Sequence, residues 1–296
     1  MRRHPVLLGL LIVVLLIVGF IVLVLVLSRL GDKKGTFALG DKIGVVEIKG
    51  TIVNSDRIIN QLVSYREDKG VKAIVMRIDS PGGGAVPSDE IYQEVIKARK
   101  VKKVVASLGG IAASGGYYIA SGADHIVANP GTITGSIGVI IRVSNVEGLM
   151  KLIGLKTYTF KSGEYKDLLS PFREPTDKEQ QIVMSLIESA HTHFVESVAK
   201  GRNMDVDVVR KVADGRIFSG QHALELDLVD QLGTLQDAID VAAKMSGIRG
   251  KPNVIYPKKR WSVFDLLVEK VIMRLIERMR TVNYRIYYQV PLPSSF

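Results

Sequence analysis

A continuous apolar stretch near the N-terminus constrains this chain more than any other feature of its sequence. Val6–Leu27 contains only Val, Leu, Ile, Gly and Phe, without one charged residue. A helix needs roughly 20 consecutive apolar residues to cross the hydrocarbon core of a bilayer, so this stretch is long enough to span it. Basic residues flank it on both sides: Arg2, Arg3, Arg29, Lys33 and Lys34.

A cleaved secretory signal peptide is the competing interpretation of the same stretch. Its apolar region usually spans about 7–15 residues and ends at a small-x-small site. Val6–Leu27 is longer, and the Leu27–Gly31 sequence offers no good site. We therefore expect a tail and uncleaved transmembrane anchor at residues 1–28 and a linker at residues 29–41. A short basic tail translocates with difficulty, which favours a single-pass protein of the cell membrane with a cytoplasmic N-terminus and an extracytoplasmic catalytic domain.

Composition excludes several classes of function. The chain has no cysteine, which rules out disulfides, thiol nucleophiles and cysteine-held metals. No His-Glu-x-x-His pattern occurs either, and we expect neither a metal nor a cofactor. The net charge of +10 is dispersed and no nucleic-acid-binding motif accompanies it. Anionic membrane lipid is therefore the simpler partner for this charge, and no nucleic acid is expected.

From residue 42 onward, short β-branched runs alternate with helical patterns. The predicted strands are Ile43–Ile48, Ala73–Ile78, Lys103–Ser107, Ile126–Ala128, Gly138–Ile141 and Lys156–Phe160. The predicted helices are residues 55–66, residues 88–100 and residues 177–200, with two shorter ones starting at Ser219 and Thr234. This alternation is typical of βαβ units and predicts an α/β fold with a mainly parallel sheet.

The long helix at residues 177–200 and the C-terminal region carry further local signals. Thr176 and Glu179 have the spacing of a capping box at the start of the helix. We expect the folded domain to cover residues 42–248 and a C-terminal extension to cover residues 249–296. Within that extension, Trp261–Met279 has an amphipathic pattern that suits a helix on lipid or on a neighbouring subunit.

Two glycine-rich segments directly follow predicted strands. Asp79–Gly84 has three glycines that allow a tight turn with N–H groups facing a ligand, but it lacks the P-loop ending and the dinucleotide fingerprint. Gly109–Tyr118 places Ser114 among small residues between a strand and a helix. There Ser114 is either a reachable nucleophile or simply the N-cap of a tightly packed turn.

A serine nucleophile needs a base, and no histidine is an obvious partner for Ser114. The five histidines are His4, His125, His191, His193 and His222. His191 and His193 lie on or beside the polar face of the long helix, while a Ser–His arrangement with His125 stays open. Lysine is an attested alternative base, provided that its pKa falls by roughly 2–3 units from its ordinary value. Lys166, in the polar segment Lys161–Asp167, is a candidate, although a solvated loop lysine is the commoner case.

Three segments, in this order along the chain, carry a resemblance: Asp79–Gly84, Gly109–Tyr118 and Lys161–Asp167. Together they resemble the signal peptide peptidase A family, a membrane-associated branch of the Clp/crotonase superfamily. The resemblance covers roughly residues 42–245. It implies that Ser114, in Ala-Ala-Ser-Gly-Gly-Tyr-Tyr, is the nucleophile and that Lys166, in Ser-Gly-x-x-Lys, is the general base. It also implies an oxyanion hole formed by the backbone N–H groups of Gly83 and Gly115.

The resemblance carries expectations about fold, activity and partners. It implies a Clp/crotonase-like core of repeated β-β-α and βαβ units, with the N-terminal transmembrane helix and C-terminal helices added. The implied activity is that of a serine endopeptidase with a Ser/Lys dyad, which degrades remnant signal peptides or other hydrophobic peptides. The implied partners are these peptides, membrane lipid, and further copies of the chain, with active sites at or near the subunit interfaces.

Other interpretations of the same segments stay open. Clp-type proteases pair their serine with a histidine about 25 residues later, but Val139 occupies that position here. A non-catalytic, peptide-binding membrane scaffold on the same fold is one alternative, and a crotonase-like acyl-CoA enzyme is a less favoured one. Ser136, in Thr134–Gly138, is a rival nucleophile, although a turn into the predicted strand Gly138–Ile141 explains its neighbouring glycines better.

Overall fold

The computed structural model describes residues 41–256, together with Gly19. The predicted membrane span Val6–Leu27 and the amphipathic segment Trp261–Met279 lie outside the described residues, apart from that glycine. Within the described part, no helix is both long enough and apolar enough to cross a membrane. The chain divides into two units, Met1–Gly40 and Asp41–Phe296, and the fold below belongs to the second.

A single mixed sheet forms the centre of this unit. Its strands are β1 (Lys42–Lys49), β2 (Val71–Ser80), β3 (Lys103–Ala113), β4 (His125–Ala128), β5 (Ile133–Gly135), β6 (Ile217–Ser219), β7 (Gln231–Leu232) and β8 (Asn253–Ile255). The main order is β6-β5-β3-β2-β1-β8, and β4 also pairs with β3 and carries β7 on its other side. Only the β5–β6 pairing is antiparallel among the described strands, so the predicted mainly parallel sheet is confirmed.

Helices cover both faces of the sheet. They are α1 (Asp56–Glu67), α2 (Ala85–Arg99), α3 (Gly115–Ser121), α4 (Glu147–Leu152), α5 (Asp177–Arg202), α6 (Val206–Val212), α7 (Gly220–Glu225) and α8 (Leu235–Met245). One face packs against α1, α2, α3 and the C-terminal part of α5, and the other packs against α8. Adjacent residues such as Val45 and Val46 are therefore both fully buried, as expected for a strand covered on both faces.

Two helix starts show how local sequence sets the element boundaries. The capping box of α5 is confirmed, since the Thr176 hydroxyl accepts from the Glu179 N–H while the Glu179 carboxylate accepts from the Thr176 N–H. Helix α2 begins at Ala85, one turn before the predicted start at Ser88. Pro87 lies in the first turn of this helix, where proline is tolerated because its missing N–H needs no partner.

Strand β3 is six residues longer than the predicted strand Lys103–Ser107 and ends at Ala113. Its glycine pair lies inside the strand rather than in a loop. A Cβ at Gly109 would approach the Asp79 side chain to 2.8 Å, so glycine lets β3 pass this residue closely. The Asp79 carboxylate in turn accepts a hydrogen bond from the Ile111 N–H at 3.1 Å. This extension carries the chain directly to Ser114.

Two predicted strands, Gly138–Ile141 and Lys156–Phe160, are wrong. Neither segment forms a strand in the structure, and both lie on the surface. Ile140 and Phe160 are 78% and 96% exposed. Their β-branched and aromatic residues are typical of strands that are buried in a sheet. Within the described residues, however, no neighbouring strand pairs with either segment.

Candidate active site

Ser114 lies at the junction between β3 and α3 in an unusual backbone conformation. Its φ and ψ angles are 51° and −122°, in a region that residues with a side chain rarely adopt. Its N–H donates to the Gly135 carbonyl at 2.8 Å, which fixes the junction to the neighbouring strand β5. Ser114 occupies the N-cap position, yet its hydroxyl does not cap the helix. The hydroxyl is therefore available for chemistry.

The glycine-rich loop after β2 packs directly against Ser114. A Cβ at Gly82 would lie 2.7 Å from the Gly115 nitrogen and 2.9 Å from the Ser114 Cβ. A Cβ at Gly115 would lie 3.4 Å from the Gly83 nitrogen. The backbone N–H groups of Gly83 and Gly115 thus lie beside Ser114, and within residues 41–256 neither donates a hydrogen bond.

Ile52 holds the glycine-rich loop in place. The Ile52 N–H donates to the Gly82 carbonyl at 2.9 Å, and the Gly84 N–H donates to the Ile52 carbonyl at 2.8 Å. Between these two bonds, a Cβ at Gly83 would come within 2.1 Å of the Ile52 oxygen. Only glycine fits at this position, so the orientation of the Gly83 N–H is set by the backbone on both sides.

A pocket of about 450 Å³ opens beside Ser114. Its lining includes Ser114, Gly83 and Gly115, and so contains the candidate nucleophile and both candidate oxyanion donors. Its walls are mainly apolar, with contributions from Val86, Tyr118, Val139, Ile140, Ala190 and Phe194. The pocket lies at the carboxyl ends of β2 and β3, where ligands usually bind in parallel sheets.

Asp89 and His193 also line this pocket, and the sequence interpretation missed both. The His193 Nε2 is 3.3 Å from the Asp89 Oδ1, and the Tyr118 hydroxyl donates to the same oxygen at 2.7 Å. Burial raises the pKa of Tyr118 well above its ordinary value, with the hydrogen bond to Asp89 adding to the rise. The only sequence signal for His193 was its position three residues after Ala190, on the helix face that meets α3.

Lys166 lies outside the lining of this pocket. It is exposed, in a run of turns from Glu164 to Leu169, and its N–H donates to the Gly163 carbonyl at 3.2 Å. The structure brings Ser114, Gly83 and Gly115 together, but it does not place Lys166 with them in one chain.

Ion pairs hold the segment that carries Lys166. Asp167 accepts from Lys161 at 2.6 Å and from Arg173 at 3.0 Å, and Arg173 also pairs with Glu179 at 2.5 Å. The Arg173 and Lys161 hydrogen bonds hold the pKa of Asp167 well below its ordinary value. Arg173 likewise lowers the pKa of Glu179 to about 2.

The remaining serine and histidine candidates do not line the pocket. His125 is paired with Val105 near the start of β3, whereas Ser114 follows the other end of that strand. His191 contacts the Ala213 carbonyl at 2.7 Å, and His222 packs edge-on against Phe218. Ser136, the rival nucleophile, has a φ of 50° and donates its N–H to the Arg216 carbonyl.

Two models of known protein families match the sequence of the chain. The model of peptidase family S49 matches residues 96–249, and the Clp protease model matches residues 43–131. In solved structures, a mutant of the 1510-N membrane-bound stomatin-specific protease is similar with a TM-score of 0.50 and 18% identity. That similarity covers 74% of this chain and 98% of the other, and it supports the fold alone.

Curated relatives give the same result at higher identity. The "Putative protease slr0021" of Synechocystis sp. is 49% identical over 208 residues, which cover 70% of this chain and 75% of that protein. The "Putative signal peptide peptidase SppA" of Enterococcus faecium is 44% identical over 192 residues, or 64% of this chain and 56% of that protein. The predicted relationship to the signal peptide peptidase A family is confirmed. The chain belongs to peptidase family S49 and is a serine peptidase.

Proposed function

We propose that this serine peptidase is a membrane-anchored endopeptidase that cleaves hydrophobic peptides, remnant signal peptides among them. The observation that carries the proposal is the meeting of Ser114 with the backbone N–H groups of Gly83 and Gly115 in a mainly apolar pocket; neither group has a hydrogen-bond partner in the described part of the chain. The proposed anchor is Val6–Leu27, with the catalytic domain on the outer side of the cell membrane. This location would place the enzyme beside peptides left in the bilayer.

The proposed reaction is acyl transfer through Ser114. The Ser114 Oγ attacks the scissile carbonyl carbon while a base takes its proton, and the same base returns a proton to the leaving amine. The developing oxyanion accepts from the N–H groups of Gly83 and Gly115. Each such donor is worth on the order of 3 kcal/mol to the transition state. Water then hydrolyses the acyl-enzyme, which regenerates the serine.

We propose Lys166 as the base, supplied by a neighbouring copy of the chain. The region that precedes and follows Lys166 exposes many large apolar side chains. They are Ile140, Leu149, Leu152, Ile153, Leu155, Tyr158, Phe160, Met184 and Leu186. Exposed apolar surface of this extent is typical of subunit contacts. A second copy covering it would also desolvate the ammonium group, which favours the neutral form of a lysine.

Active-site labelling tests the proposal. The full chain is treated with a serine-reactive peptidyl phosphonate, and the modified residue is located by peptide mapping. We expect modification at Ser114 in the unaltered chain and in Ser64→Ala, which removes an exposed hydroxyl on α1. Ser114→Ala should not be modified. Modification at Ser136, or equal labelling of Ser114→Ala, would contradict the assignment.

A peptide-binding scaffold is the second candidate, because Lys166 lies outside the pocket that holds Ser114. On this hypothesis the pocket holds an apolar peptide without cleaving it. The two candidates differ in turnover. An unaltered chain that binds an apolar peptide and releases it intact would support the scaffold, whereas cleavage that depends on Ser114 would exclude it.

A further inference from the structure

The pocket beside Ser114 contains one acidic side chain among its apolar walls. Of the residues that line it in the described part of the chain, only Asp89 carries a carboxylate, and His193 is the only one that can become cationic. Asp89 lies in the second turn of α2, and its side chain is 35% exposed. A group that enters the pocket can therefore reach this carboxylate.

The hydrogen bonds of Asp89 leave one of its two oxygens unused. Tyr118, Gln93 and His193 all contact Oδ1, at 2.7, 3.2 and 3.3 Å. Within residues 41–256, no donor contacts Oδ2. Burial raises the pKa of Asp89, but these hydrogen bonds and the charge of His193 outweigh it and lower the pKa below its ordinary value. The group is thus an anchored carboxylate with an open acceptor.

The lining of the pocket suits a long side chain with a charged end. Val86, Ala190 and Phe194 offer apolar contact to a methylene stem, and Asp89 in the same lining can bind the terminal charge. A single open oxygen matches the compact ammonium group of lysine. The guanidinium of arginine binds carboxylates best through both oxygens, and Oδ1 is already occupied here.

A carboxylate in a mainly apolar pocket makes this position selective for charge. It attracts a cationic side chain and disfavours an anionic one. A site built to hydrogen-bond a polar group also discriminates against analogues without that group more strongly than an apolar wall discriminates by size.

We propose that Asp89 is a specificity-determining residue, whose carboxylate binds the ammonium group of a substrate lysine close to the scissile bond. The inference rests on the proposed function and narrows its substrate class. The preferred peptides would be apolar with a lysine at the position that enters this pocket. Tyr118, Gln93 and His193 act as positioning residues, because they fix the carboxylate through Oδ1.

Matched peptides test this inference in the full chain. One apolar peptide is prepared with lysine, norleucine or glutamate at each residue flanking the scissile bond in turn. Norleucine has the same stem as lysine without the ammonium group. We expect kcat/KM at one position to be about tenfold higher for lysine than for norleucine, and lowest for glutamate. Equal values for lysine and norleucine at every position would overturn the inference, and this comparison needs no variant.

Two variants separate the local carboxylate from general electrostatics. Asp89→Asn keeps an oxygen that accepts from Tyr118 and should bring the lysine-to-norleucine ratio close to one. Glu188→Gln removes an exposed carboxylate of α5 outside the pocket lining and should leave the ratio unchanged. An Asp89→Asn protein that unfolds at the normal temperature and keeps the ratio of the unaltered chain would overturn the inference.

Binding to Ser114→Ala keeps this inference distinct from the proposed function. Fluorescence anisotropy measures the affinity of the same three peptides without turnover. Tighter binding of the lysine peptide, lost in the Ser114→Ala/Asp89→Asn double variant, would support the lysine site even if the unaltered chain cleaved nothing. Cleavage of all peptides without a lysine preference would refute the lysine site alone.

Discussion

The proposed nucleophile and the proposed base lie in two regions that differ sharply in packing. Around Ser114, the glycines at 82, 83 and 115 leave no room for a Cβ, and neighbouring backbone atoms fix the loop on both sides. Around Lys166, residues 148, 154 and 163 are glycines with open space where a Cβ would be. Large apolar side chains there are exposed rather than buried.

This difference indicates which half of the proposed catalytic machinery one chain completes by itself. Ser114 and both candidate oxyanion donors come together within a single copy. The segment with Lys166 has ion pairs of its own but no packing partner for its apolar surface within the described chain. A second copy would supply that partner.

Complementation between two inactive variants tests whether Ser114 and Lys166 of one active site come from different copies of the chain. Ser114→Ala and Lys166→Ala should each lower kcat/KM on an apolar peptide by about a thousandfold or more, because each removes one member of the proposed dyad. Coexpressed, the two variants should recover about a quarter of the normal activity, since a quarter of randomly mixed interfaces pair an intact serine with an intact lysine. Activity is measured on the purified assemblies.

The matched control is Lys178→Ala, which removes an exposed lysine at the start of α5 and should keep full activity. An active Lys166→Ala protein would show that this lysine is not the base. Intact mixed assemblies without recovered activity would place the serine and the lysine in one chain.

The close packing of the glycine-rich loop around Ser114 predicts a large effect of substitution at Gly83. Gly83→Ala would push a Cβ against the Ile52 carbonyl and displace the N–H group that we propose as an oxyanion donor. We expect kcat to fall by about 100-fold to 1000-fold, the cost of losing one oxyanion donor. Gly131→Ala is the control and should keep its activity, because a Cβ there would make only an ordinary contact, 3.6 Å from the Asn129 side chain. Normal kcat in Gly83→Ala would exclude this N–H from the oxyanion hole.

The ion pairs of the Lys166 segment predict a smaller, pH-dependent effect. The pKa values of Asp167 and Glu179 are lower in the folded chain than their ordinary values. The two carboxylates therefore stabilise the fold at a pH above their ordinary pKa values, and this stabilisation is lost as the pH falls through the lowered pKa values. Hydrogen exchange of residues 161–173, corrected for its intrinsic pH dependence, should lose protection in acid. Arg173→Ala should cause the same loss at neutral pH, with a fall of about tenfold or less in kcat/KM. Unchanged protection would show that other contacts hold the segment.

The sequence predicted those parts of the fold and the site that are set by residues close together in the sequence. The buried run of β2 and the capping box of α5 are local patterns, and so are the two glycine-rich segments. Strands β5 to β8 span only two or three residues each, which is too short to show a period. Asp89 and His193 are 104 residues apart and meet only when α5 packs against α2 and α3, so no spacing rule identifies them.

The two wrong strands have a related cause. An apolar, β-branched run indicates a segment that becomes buried, but it does not indicate whether the packing partner belongs to the same chain. Tyr158 and Ile140 are more than 70% exposed, so no side chain of residues 41–256 covers them. Sequence patterns of subunit contacts and of internal strands are alike in this respect.

The backbone of Ser114 sets folding against catalysis. A residue with a side chain at a φ of 51° costs about 1–3 kcal/mol, which the surrounding bonds of β3, β5 and the glycine loop must offset. Glycine at position 114 would adopt the same angles without that cost, and the protein would gain stability as it lost its proposed nucleophile. A stability screen blind to activity would therefore select against the side chain that we propose as the nucleophile.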